Sequence, residues 1–148
     1  MKGVMVLPML LLAACNVLPR DPAGTSTRVA KERAFTVALA DPAVNGAPEV
    51  QRLVHEIERR TGAQVHWRPG TGEGLFAQLD DGTLDLVIGR FQADSPWAMN
   101  VAFGPPLLKT GTKEGPLELK AAMRNGENRW IMTVERASRA VSQEAREE

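Results

Sequence analysis

Seven side chains near the expected ends of three strands carry the chemistry that this 148-residue chain offers. Asp41 follows the apolar run 35–40, Trp67 and Arg68 close the run 64–67, and Arg90 and Gln92 follow the run 84–88. Thr71 and Gly72 lie between them in the stretch Thr71-Gly72-Glu73-Gly74. Arg68 and Arg90 supply forked donors suited to a carboxylate or phosphate. Trp67 supplies an apolar wall, and backbone N–H groups ahead of a helix favour an anion. Together they point to a small anionic or zwitterionic solute. The same residues also read as a turn capped by Thr71 beside solvated arginines. The alternation of Gly70, Gly72 and Gly74 is not a dinucleotide fingerprint, which needs a different spacing and an acid further on.

Other chemistries find no constellation. His55 and His66 are the only histidines, and neither has a companion at metal-ligand spacing, so no metal is expected. Ser26, Ser95, Ser138 and Ser142 lack a nucleophile-elbow context. Asp80 and Asp81 precede Gly82 and read as helix-end and turn chemistry. The expectation is a non-catalytic protein without a cofactor. Eighteen basic and eighteen acidic residues are spread along the chain, which argues against a nucleic-acid footprint and against a polybasic membrane patch. The absence of tyrosine argues against a sugar-stacking surface.

The elements that must position these residues follow from periodicity. The run 35–40 reads as a buried strand. Pro48 opens a helix whose Val50, Leu53, Val54 and Ile57 share a face, and Gly62 ends it. Residues 64–67 form a second strand; Leu75, Phe76 and Leu79 mark a short helix; 84–88 is the most apolar strand. Strand, helix, strand, helix, strand is an α/β signature of a Rossmann-like, mostly parallel sheet flanked by helices. Ligands of such sheets sit beyond the carboxyl ends of the strands. Residues 101–103 and 117–123 are further strands. Residues 128–145 form a closing helix with Trp130, Ile131, Val134, Ala137 and Val141 on one side.

The amino terminus is of another kind. Lys2, the apolar run 4–14 and the small residues before Cys15 make a secretory signal, with a hydrophobic stretch too short to span a bilayer. Leu12-Ala13-Ala14-Cys15 resembles the bacterial lipobox. That resemblance implies a signal peptide over residues 1–14, acyl chains on Cys15 as the first mature residue, and a membrane reached through lipid. Residues 15–34, with Pro19, Pro22, Gly24 and Thr25-Ser26-Thr27, read as the lipidated cysteine and a flexible tether before a domain over 35–148. Cys15 is the sole cysteine, so an intramolecular disulfide is impossible. Asn16 stands where Asp is the usual inner-membrane retention signal, which points to a periplasm-facing anchor on the outer membrane before the inner.

Residues 35–106 resemble the first lobe of the bacterial extracellular solute-binding proteins of family 3, the amino-acid-type periplasmic binding proteins. The resemblance rests on residues 74–89, where Leu79, Gly82, Asp85, Leu86 and Ile88 follow the family's helix–glycine–strand pattern, on Ser95-Pro96, on Val101-Ala102-Phe103-Gly104-Pro105, and on residues 121–128. It implies a single lobe that assists uptake of an amino acid or small carboxylate by an ABC-type transporter. Two departures stand out. Residues 109–115, a short polar glycine-rich turn, occupy the place of an entire second lobe. The arginine that usually follows the Thr-Pro pair is replaced by the stretch Trp97, Ala98 and Met99. The alternative expectation is therefore an envelope interaction or structural lipoprotein that kept the fold and lost the ligand.

Overall fold

The computed structural model describes residues 18–148; Cys15 and the expected signal peptide lie outside the described residues. A helix α1 (Thr25–Glu32) leads into β1 (Ala34–Leu39), then α2 (Pro48–Thr61), β2 (Gln64–Trp67), α3 (Gly74–Asp80), β3 (Leu86–Gln92), β4 (Val101–Phe103), β5 (Leu108–Thr112), β6 (Gly115–Arg124) and α4 (Asn128–Val141). The sheet order is β2-β1-β3-β6-β4, with β5 also paired to β6. β1 pairs in parallel with β2 and β3, whereas β6 runs antiparallel to β3, β4 and β5. Strands β1 to β5 thus point one way and β6 alone runs back between them. The mostly parallel single lobe expected from the sequence is what the chain builds.

Continuous apolar runs suit strands buried on both faces. Phe35, Val37, Leu86, Ile88, Ala121 and Met123 face a core closed by α2 and α4. Ala38, Val87 and Ala122 face the other way, onto Leu75, Phe76 and Leu79 of α3. Trp130 of α4 is fully buried against Phe35, ring centroids 5.9 Å apart, and its Nε1 donates to the Asp85 carbonyl at 2.9 Å. Asp85 is itself buried at the amino end of β3, and its carboxylate accepts from the Thr36 N–H, the Thr36 hydroxyl and Arg28. Burial pushes this carboxyl up, against the lowering pull of Thr36 and Arg28.

Four expectations need correction. The segment read as flexible tether holds α1, and its entry is clasped. Asp21 accepts from the N–H groups of Ser26 in α1 and of Arg129 and Trp130 in α4. Glu127 returns the arrangement, accepting from Ala23 and Thr25 at 2.7 and 2.9 Å. The Asn128 N–H adds a bond to the Arg20 carbonyl. Each of two helices thus has its free N-terminal donors satisfied by a carboxylate from the other's approach, where the helix dipole also favours negative charge. The turn expected over 109–115 is largely strand: β5 and β6 form a hairpin around Lys113 and Glu114. Finally, the apolar strand expected over 84–88 starts at Leu86 and continues to Gln92, because its polar end pairs with β6 from Arg90↔Leu119 to Gln92↔Leu117. The closing helix ends at Val141 and a separate 3-10 turn covers Glu144–Arg146.

Candidate solute-binding rim

The carboxyl ends of β1, β2 and β3 lie side by side, and those strand ends and the loops leaving β1 and β2 carry all seven residues singled out from the sequence. Asp41 follows β1 and caps a 3-10 turn, Pro42–Val44, by accepting from the Ala43 N–H at 2.9 Å. Its other oxygen accepts from Arg90 Nε at 2.5 Å. The Arg90 guanidinium holds the Asp41 carboxyl below the usual carboxylate range, and the Ala43 N–H helps; desolvation opposes them. Trp67 ends β2, and the Arg68 N–H continues the ladder to the Val37 carbonyl at 2.8 Å.

Two cavities divide these residues. One, of ≈ 350 Å³, is lined by Trp67, Arg68 and Thr71 with Leu39, Pro42 and Asn45. The second, of ≈ 360 Å³, brings together Asp41, Gly72, Arg90 and Gln92. One of the donors expected to face an anion is already used. The Gly72 N–H donates to the Ala40 carbonyl at 3.1 Å and ties the loop to β1. Gly70 has φ +143°, and a Cβ there would lie 2.7 Å from Leu75 Cδ2, so the loop needs glycine to pass over α3.

The second cavity also holds groups that sequence reasoning missed: Glu73, Phe76, Phe91, Ser95 and Trp97. Phe76 stacks against Trp97 at 4.8 Å and lies 5.8 Å from Phe91, which in turn lies 5.1 Å from Phe103. Lys120 closes the back of the cluster, its Nζ 4.7 Å over the Phe103 ring and 2.7 Å from Glu118. Trp97 Nε1 donates to Glu73 Oε1 at 3.2 Å. The signal was available: three of the chain's four phenylalanines and one of its three tryptophans meet here. They sit on separate elements, so no single periodicity links them. Trp97 stands in the stretch where the resemblance would place an arginine. The two histidines stay apart from the rim: His55 lies on α2, 3.9 Å from Glu58, and His66 is exposed on β2.

No family model matches the chain, and no curated protein matches it. Solved structures do. The arginine-bound form of domain 1 of ArgBP from T. maritima superposes with a TM-score of 0.62 at 21% identity, covering 76% of this chain and 97% of that one. The fold is that of one lobe of an amino-acid-binding protein. The ancestral amino-acid-binding protein AncCDT-1, described as a precursor of cyclohexadienyl dehydratase, is similar with a TM-score of 0.66 at 13% identity over 78% of this chain and 92% of that one. Those neighbours carry amino-acid-binding names; at these identities they establish the shared architecture of the lobe.

Proposed function

We propose that this chain is a lipid-anchored, periplasm-facing, non-catalytic solute-binding-like protein that serves uptake of a small zwitterionic solute by an ABC-type transporter. The observation that carries it is the second cavity, which sets a guanidinium (Arg90) and two carboxylates (Asp41, Glu73) at the mouth of an aromatic wall. A solute carboxylate pairs with the guanidinium, an ammonium with Glu73, and an apolar side chain rests on Phe76 and Trp97. The amino-acid-binding names of the structural neighbours support this ligand class. Calorimetric titration of the soluble domain with amino acids and small carboxylates tests it: binding that is lost in Arg90→Ala supports the reading. Silence at millimolar solute overturns it.

A second reading has its own observation. Arg90 is already paired with Asp41, and Glu73 already accepts from Trp97, so the polar groups of the cavity satisfy one another. An envelope lipoprotein that kept the lobe and lost the solute would look like this. Silence in the titration, together with a lowered melting temperature in Arg90→Ala, favours it.

A further inference from the structure

The clasp between Asp21 and Glu127 lies at the amino edge of the sheet, and the rim lies at the opposite edge. Arg20 is bonded to Asn128 at the start of α4, just past the end of β6. Because β6 runs against the other strands, its end lies beside the beginnings of β3 and β4, as the pairs Val87↔Ala122 and Val101↔Arg124 show. Asp85, which precedes β3, binds Arg28 of α1 and accepts from Trp130 of α4, so both helices meet that same edge. From there the extended chain runs seven residue steps, from Ala34 to Asp41 at the rim, about 23 Å at roughly 3.3 Å per residue.

We infer that the anchored protein stands with its amino edge on the lipid surface and its rim turned away from it. This rests on the lipidation of Cys15 put forward above. Five residue steps separate Cys15 from Arg20, a reach of at most about 18 Å when fully extended. The clasp fixes the chain at Arg20, so that reach is shorter than the height of the sheet alone. The rim is therefore unable to turn back to the membrane that holds the anchor.

A basic patch interleaved with acids lies on the amino edge. Arg129 lines one cavity with Arg20 and Asp21 and a second with Arg60. Arg33 precedes β1 and Arg124 ends β6 on the same edge. The acids nearest the patch are engaged: Asp21 and Glu127 accept from helix N–H groups, and Glu56 accepts from Arg59 and Arg60. The other acids on this edge are Glu32, bonded to Arg28; Glu58, which accepts from the Val65 N–H; Asp80 and Asp81 at the end of α3, Asp81 bonded to the Thr83 N–H; and Asp85, bonded to Arg28. Thus the fold gathers basic residues that are dispersed along the sequence.

Every described contact lies within residues 18–148, so a chain beginning at Cys15 retains them. Such a chain, coupled through its one thiol to a maleimide lipid in vesicles of phosphatidylethanolamine and phosphatidylglycerol, tests the orientation directly. A fluorescent donor is introduced as a non-natural amino acid at exposed Thr27 on the amino edge, or at exposed Asn45, which lines a rim cavity, with an acceptor on the lipid headgroups. Energy transfer several-fold stronger from position 27 than from position 45 is expected. Inserting a Gly-Ser spacer of about 20 residues between Pro19 and Arg20 should shrink that difference. Equal transfer from both positions, or stronger transfer from position 45, overturns the inference. The coupling is chemical, so this result is separate from cellular lipidation, which is read by Cys15→Ser: loss of membrane fractionation supports the anchor, and retention refutes it.

Discussion

Arg90 and Asp41 each depend on the other at the rim. Removing the guanidinium should release Asp41 from its lowered titration, so Arg90→Ala is expected to move the Asp41 carboxyl up toward its ordinary 3.8, as followed by carbon-detected NMR. A second acid gives a pH effect on stability. Glu56 on α2 accepts from Arg59 at 2.7 and 2.8 Å and from Arg60 at 2.8 Å. Those bonds, Arg59 first, bring its carboxyl down from 4.5 to about 2. A folded-state value below the unfolded one contributes stability above the unfolded value and loses it as pH falls toward the folded one. Between pH 4.5 and 2 the melting temperature of the natural chain should therefore fall more steeply than that of Glu56→Gln; parallel curves would refute this.

At the scale of elements, the clasp makes the sharpest claim. Asp21→Ala strips acceptors from the first turns of α1 and α4 together. Loss of one N-cap costs about 0.5–2 kcal/mol, so urea unfolding should show a loss of about 2 kcal/mol, a cost that an ordinary exposed aspartate would not carry. The same elements show where sequence reading stopped. β1, α2, β2, α3 and α4 were visible because apolar residues recur at strand or helix spacing. α1 was not: of its eight residues only Thr25 and Val29 are buried, and it is held by carboxylates more than a hundred positions away or outside its own turns. β5 was not either, since all five of its residues are exposed and its pairing is dictated by the neighbouring β6. The rim residues were legible from strand ends, but the aromatic wall behind them was not, because Phe76, Phe91 and Trp97 converge only in three dimensions.

For the whole molecule, α4 decides whether there is a lobe at all. It covers the face of the sheet built by Phe35, Val37, Ile88 and Met123, and Trp130 joins that core to the buried Asp85. Trp130→Ala should destabilise the domain by about 3–5 kcal/mol in urea unfolding; a loss below about 1 kcal/mol would show that the face is closed by other means. The paired carboxylates of Asp21 and Glu127 bear on the order in which the chain comes together. Their bonds span |i−j| = 102 to 109, among the longest separations in the fold. Closing so large a loop is entropically costly until the sheet has brought its ends close. While the carboxyl-terminal fifth of the chain is still being made, α1 has Asp21 as its local cap and Asp85 as a partner for Arg28, but lacks Glu127. The clasp closes only when α4 arrives, so the two ends of the domain are joined late.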